Sequence, residues 1–186
     1  LEVQDLAYKY SDIKKCKKEL SEVKEFWKEK ISRLQVNTPS ESMNIMLNGW
    51  LLYQTIVCRL WGKSAFYQSG GAIGFRDQLQ DTLGLKYISP EVTRSQIIKQ
   101  CAHQFIEGDV EHWWHEETKR GIRTRFSDDL LWLPYAVAEY VKTIGDTGIL
   151  KEQVEYLSGN LLKDGENEIY DIHLPSNIRE SVFEHC

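Results

Sequence analysis

GDVEHWWHEETKRGIRTRF, residues 108–126, is the stretch whose reading decides the fold. It is polar and aromatic, and no apolar stripe recurs in it at three- and four-residue spacing. Read as an irregular connection, it joins two helices and leaves the chain helical throughout. On one side, Ser89-Pro90-Glu91 opens a helix to about Phe105, with proline in the first turn and an early carboxylate at the positive end. On the other, Ser127-Asp128-Asp129 caps a helix that runs through Tyr140 to Ile144 and stops at Gly145. Pro134 falls in the first turns of that helix, where a missing N–H does least harm.

The same reading extends outward. Leu20, Val23, Trp27, Ile31 and Leu34 form one apolar helix face, with Lys and Glu opposite. Asn37-Thr38-Pro39-Ser40 breaks that helix, and Ser40 or Thr38 can cap the next. Met46, Trp50, Tyr53, Val57 and Leu60 mark a second helix, apolar on nearly all faces and so expected to be buried, ending at Gly62. RDQLQDTLGL, residues 76–85, reads as a short helix after Gly70-Gly71. Residues 150–162 read as another, residues 168–172 as a short strand, and Pro175-Ser176-Asn177 as the start of a last helix. The expected fold is all-α: part of an α/α toroid with long loops on one side. A closed toroid needs roughly twice as many helices, so the barrel is expected to be incomplete. Its cut edge would meet the remainder of the same polypeptide or drive self-association.

Composition narrows the function. A chain of 186 residues with 41% hydrophobic and 27% charged residues suits one folded domain. The formal net charge of -5 argues against nucleic acid or an anionic membrane as partner. No apolar run approaches the ~20 residues of a membrane span. No charged-then-apolar leader opens the chain, and a cytoplasmic location is expected. Cys16, Cys58, Cys101 and Cys186 lie far apart without a C-x-x-C pair, which points to free thiols in a reducing compartment. Six Trp and nine Tyr suit either a large core or a cleft where rings stack on sugars.

Three motifs carry chemistry. FYQSGGAIGFRDQLQD, residues 66–81, opens a glycine-rich turn onto Arg76, Asp77, Gln80 and Asp81. It lacks the lysine of a Walker loop, and no βαβ unit surrounds it, so neither nucleotide motif fits. Asp77 and Asp81 share a helix face, an unfavourable pair unless a ligand, a cation or Arg76 lies between them. An exposed capping network is the plainer alternative. HWWH, residues 112–115, has neither the helical spacing nor the intervening Glu of zinc proteases, so no metal is assigned. Adjacent tryptophans in a non-helical stretch point to opposite sides; one can pack inward while the other lines a cleft. Two core rings beside surface histidines fit the residue types equally well. In RTRFSDD, residues 123–129, capping accounts for Ser127 and one acid but not for both. Arg123 and Arg125 share a side if extended, and could hold an anion or pair with Asp77 or Asp81.

The runs YQSGGAIGFRDQLQD, QFIEGDVEHWWHEE and GIRTRFSDDLLWLPYAVAEYV together resemble the catalytic domain of glycoside hydrolase family 94, once called glycosyltransferase 36. FRDQLQD, HWWH and RTRxSDDLLWLP look most like its β-1,2-glucan branch. That branch holds the 1,2-β-oligoglucan phosphorylases and the phosphorylase module of cyclic β-1,2-glucan synthases. The resemblance covers about residues 50–186. It implies an (α/α)6 barrel, with residues 1–36 as a linker-type helix and 37–186 as the N-terminal part of the catalytic domain, and inverting phosphorolysis of a β-glucosidic bond to α-glucose 1-phosphate. Inorganic phosphate would be co-substrate, with no cofactor, and β-glucan oligosaccharide the partner. It also implies that Arg76 and Asp81 bind the glucosyl unit and that Asp77 and Gln80 support them. Trp113, Trp114, Asp128 and Asp129 would border the same cleft. The family's general acid is expected beyond Cys186, so no catalytic residue is assigned here and the isolated chain is expected to be inactive. A non-catalytic carbohydrate-binding or regulatory helical domain is the alternative reading.

Overall fold

The computed structural model describes residues 2–62 and 70–186 and divides into two compact units, Leu1–Trp50 and Leu51–Cys186. In the first, α1 (Glu2–Tyr10) precedes α2 (Ile13–Ser32), which Asp12 caps by accepting from the Lys14 N–H at 2.8 Å. The Tyr10 hydroxyl donates to Glu19 at 2.6 Å and ties the two helices. Ser40 caps α3 (Glu41–Ile45), its hydroxyl accepting from the Met43 N–H, and a π-helical turn, Met46–Trp50, follows. α2 buries none of its residues.

The second unit opens with α4 (Leu51–Gln54), which widens into a π-helical stretch, Thr55–Trp61, closed by the Gly62 N–H on the Val57 carbonyl. Burial on most sides was expected here, but only Ile56 is buried and Trp61 is 59% exposed. A short β1 (Ile73–Gly74) then feeds α5 (Phe75–Leu83), and α6 (Pro90–Cys101) follows. β2 (Glu111–His115), β3 (Arg120–Thr124) and α7 (Asp129–Ile144) come next. A 3-10 turn, Thr147–Lys151, leads to β4 (Gln153–Ser158). The chain closes with β5 (Glu168–Ile172), β6 (Leu174–Ser181) and α8 (Val182–His185).

The all-α expectation is therefore corrected. One antiparallel sheet runs β1-β2-β3-β5 and a second pairs β4 with β6. Residues 108–126, expected to be irregular, form the central hairpin of the first sheet. Cross-strand hydrogen bonds satisfy this backbone, which a helical pattern would have had to satisfy locally. Residues 150–162 are not a helix either. Val154 and Tyr156 are buried while Gln153 and Glu155 are not, a period of two that a register shift before Leu157 ends. Pro175 does not open a helix but sits opposite Leu157 in β6, an edge strand where a missing donor is tolerated. The closing helix begins only at Val182, with Ser181 and Glu184 forming a capping box.

Three helices and the strands share one core. Phe75 and Leu79 of α5, Ile97 and Cys101 of α6, and Leu133, Ala136 and Tyr140 of α7 meet Trp114 of β2 and Val154 of β4. Each fully buried side chain of this size contributes about 1.5–3 kcal/mol. Gly121 makes room at the hairpin: a Cβ there would run into the Glu111 carboxylate and the Cβ of Trp114. Gly145 ends α7 in the left-handed region at φ 78°, as its place in the sequence predicts. Cys16, Cys101 and Cys186 are free thiols. Among the described residues, no helix is long and apolar enough to cross a membrane.

Candidate functional site

Two helix starts and one strand build the site. Gly74 lets the chain enter α5 closely enough that the Asp77 carboxylate folds back onto it; a Cβ at that position would overlap the carboxylate. Arg76, one residue earlier, reaches the start of α7 and donates from Nη1 to Asp128 at 2.7 Å. Both side chains are about half exposed, so the pair lies open to solvent. Arg76 holds the Asp128 carboxyl below the usual carboxylate range.

His112 completes the cluster from β2. The β2–β3 register shifts between Glu111 and Trp113, so His112 is the unmatched residue of a bulge. Bulges re-aim side chains, and here His112 Nδ1–H donates to Asp129 Oδ2 at 2.7 Å. Asp129 is 1% exposed. That hydrogen bond raises the imidazole's pKa; burial opposes it, and the charges of Asp129, Asp77 and Asp128 add to it. A guanidinium, an imidazole and three carboxylates thus share one patch. Such a mixture of donors and acceptors suits vicinal hydroxyls better than a dianion.

The remaining predicted residues are placed differently. Asp81, one turn beyond Asp77, is engaged at 2.7 Å by Nε of Arg59. Burial raises its pKa, and Arg59 opposes the rise. Gln78 Nε2 donates to the Arg59 carbonyl at 2.9 Å and fixes that arginine's backbone. Gln80 is exposed on α5. Neither indole belongs to the cluster. Trp114 is 2% exposed and stacks on His103 with centroids 3.6 Å apart. Trp113 is half-buried beside Tyr170 of β5, at 5.4 Å between centroids. The loop residues 66–69 of the glycine-rich motif lie outside the described residues.

The arginines of RTRFSDD do not meet Asp77 or Asp81. Arg123 is buried and pairs with Asp109 and Glu107, its remaining donors reaching the carbonyls of Gly159 and Asn160. Arg125 donates to the carbonyls of Glu166, Leu162 and Lys163. Two residues of the site escaped the sequence reading. Arg59 announces itself only as a lone charge in the apolar run TIVCRLW. His112 was weighed only as a metal ligand or a surface residue, and the bulge that aims it has no local signature.

Comparisons with known proteins place the chain in a family. Residues 26–186 match the model of the Glycosyl hydrolase 94 superfamily, catalytic domain. Cyclic beta-(1,2)-glucan synthase NdvB of Rhizobium meliloti (strain 1021) is 44% identical over 168 residues, 90% of this chain and 6% of that protein. N,N'-diacetylchitobiose phosphorylase of Vibrio proteolyticus is 27% identical, covering 87% of this chain and 23% of its own length. Solabiose phosphorylase of Paenibacillus borealis is 27% identical, covering 80% and 17%. The chain thus spans less than a quarter of each of these relatives. On the match to residues 26–186, the chain belongs to the Glycosyl hydrolase 94 superfamily.

Proposed function

We propose that this chain supplies sugar-binding side chains of an inverting glycoside phosphorylase that cleaves β-glucosidic bonds, those of β-1,2-glucan in particular, with inorganic phosphate. The products are α-glucose 1-phosphate and a shortened glucan. Phosphate attacks the anomeric carbon while a carboxylic acid protonates the departing oxygen, and an already charged nucleophile needs no base. The residues here hold the sugar. Arg76 and His112 donate to ring hydroxyls while Asp77 and Asp128 accept from them. Asp81, with Arg59 behind it, lies next along the same helix. Trp113 flanks the path, while buried Trp114 and Asp129 support it from within. The open Arg76–Asp128 pair is the observation that carries the reading, because two half-exposed partners can exchange each other for ligand hydroxyls at little cost. The 44% identity to a cyclic beta-(1,2)-glucan synthase favours the 1,2 linkage. The exposed apolar residues Leu131 and Tyr135 on α7 fit a surface covered by more of the same polypeptide or by a second copy.

Calorimetric titration of the chain with sophorose, and with cellobiose as the linkage control, tests this. Sophorose should bind more tightly, and Arg76→Ala should remove the binding. A wild-type chain that takes up neither disaccharide sinks the reading.

A further inference from the structure

Along β2, Glu111 is buried, His112 and Trp113 are partly exposed, and Trp114 is buried again. A regular strand would bring Glu111 and Trp113 to one face. The bulge puts Glu111 and Trp114 there instead. His103, just past the end of α6, touches both. Its ring stacks on Trp114 with centroids 3.6 Å apart, and its Nδ1 lies 2.6 Å from Glu111 Oε2. Its carbonyl accepts the Glu111 N–H at 3.0 Å. One residue thus grips the chain on either side of His112.

The Glu111 carboxylate is the other half of this clamp. Glu111 is paired with Arg123, yet its side chain reaches along β3 to lie against Gly121, the partner of Trp114. His173, between β5 and β6, meets its Oε1 at 2.5 Å. Glu111 is 2% exposed. Burial pushes its carboxyl up, but the hydrogen bonds from His103 and His173 outweigh burial and hold it below its ordinary value. An ionised carboxylate carries no proton, so both Nδ1 atoms donate to it.

An apolar side chain would fill the hairpin without the desolvation penalty of a buried charge. What the carboxylate supplies is direction: charge-assisted hydrogen bonds fix residue 111 from two sides. Register resumes where Trp113 pairs with Ile122. Held at both ends, the chain leaves His112 on the bulge, from which its Nδ1 reaches Asp129 at 2.7 Å.

We infer that Glu111 and His103 are positioning residues of the candidate site, a clamp that holds the bulge and so aims His112 at Asp129 and at the sugar. Only the last link, to the sugar, rests on the reading proposed above. The test is NMR titration of the His112 ring, with sophorose calorimetry, in wild type, Glu111→Ala, Glu111→Gln and His103→Phe. Asp129, Asp77 and Asp128 are the charges that act on His112, and the variants leave all three in the chain. In Glu111→Ala the His112 titration should fall toward the ordinary value of about 6.5, and sophorose affinity should fall about tenfold. Glu111→Gln is the conservative rescue. Its amide oxygen accepts from His173 and its amide nitrogen donates to His103. The His103 proton then moves to Nε2, on a ring that borders a cavity of about 300 Å3. This variant should keep the His112 titration and the sophorose affinity near wild type while exchanging the protonated nitrogen of His103 in nitrogen NMR spectra. His103→Phe keeps a ring on Trp114 and loses the bond to Glu111, so it should lower the His112 titration even where Glu111→Ala does not fold. A wild-type His112 titration in His103→Phe, or in folded Glu111→Ala, overturns the clamp. So does a Glu111→Gln chain that behaves like Glu111→Ala, because hydrogen bonding at residue 111 would then not be what aims His112. A wild-type chain that takes up no sophorose removes the sugar reading, and the His112 titrations still decide the clamp.

Discussion

The Nδ1–H of His112, on the bulge of β2, donates to the buried carboxylate of Asp129 at the start of α7, 2.7 Å away. One hydrogen bond thus locks the strand hairpin to the helix whose first residues face the candidate site. It also couples that site to pH.

His112 has its pKa raised in the folded chain, first by the Asp129 hydrogen bond. The unfolded imidazole titrates near 6.5. The stabilisation is therefore fully present below about 6.5 and is lost as pH rises through the folded value. His185 behaves oppositely: burial lowers its pKa, so its contribution is present above about 6.5 and is lost as pH falls through the folded value. Together the two should place a stability maximum near pH 6.5 in urea denaturation. An Asp129→Asn variant should bring the His112 NMR titration back toward the ordinary value and flatten the alkaline side of that maximum.

Arg76→Ala should separate binding from stability. An ion pair this exposed contributes about 0–1 kcal/mol, which for a chain of this size moves Tm by less than about 4 °C. Sophorose affinity should fall at least about tenfold, a change of about 1.4 kcal/mol. A large drop in Tm with affinity retained would make the pair structural.

The two tryptophans should part company. Trp114→Ala removes a ring that is 2% exposed and stacked on His103, and should cost about 3–5 kcal/mol in chemical denaturation. Trp113→Ala, at a half-buried position, should cost clearly less. Equal losses would mean that both rings serve the core.

Gly121→Ala tests the hairpin. The new methyl would press on the Glu111 carboxylate, whose oxygens accept from His103 at 2.6 Å and His173 at 2.5 Å. Overpacking of this kind costs about 1–3 kcal/mol. Denaturant midpoints should fall accordingly, and an unchanged midpoint would mean the hairpin yields without strain.

How far the sequence could be read depends on where each signal lies. Pro90 at the head of α6 and Gly145 at the end of α7 act on backbone groups within one turn, so both were legible. The strand at Glu168–Ile172 was legible as a short run holding Ile169, Tyr170 and Ile172 between loops. The HWWH and RGIRT segments were not, because each looks irregular until it has a partner. In 174–181 the proline suggested a helix start, while the real start, Ser181 with Glu184, lay further on. Among site residues, Arg76, Asp77, Asp128 and Asp129 stood out in two motifs and took their expected role from the family resemblance, and the structure gathers them with His112. Arg59 was missed because its partner Asp81 is on another element.

By itself, then, the sequence determined the family, the place of α5, the start of α6 and both ends of α7, and the acids and arginine at two of those helix starts. Helix ends and caps depend on groups a few residues apart, which order along the chain already specifies. Only the tertiary structure decided that the middle of the chain is a sheet, that His112 turns toward Asp129, and that Arg123 is spent on protein acceptors. Those outcomes depend on hydrogen bonds between strands and loops remote in sequence, and no local pattern encodes their register.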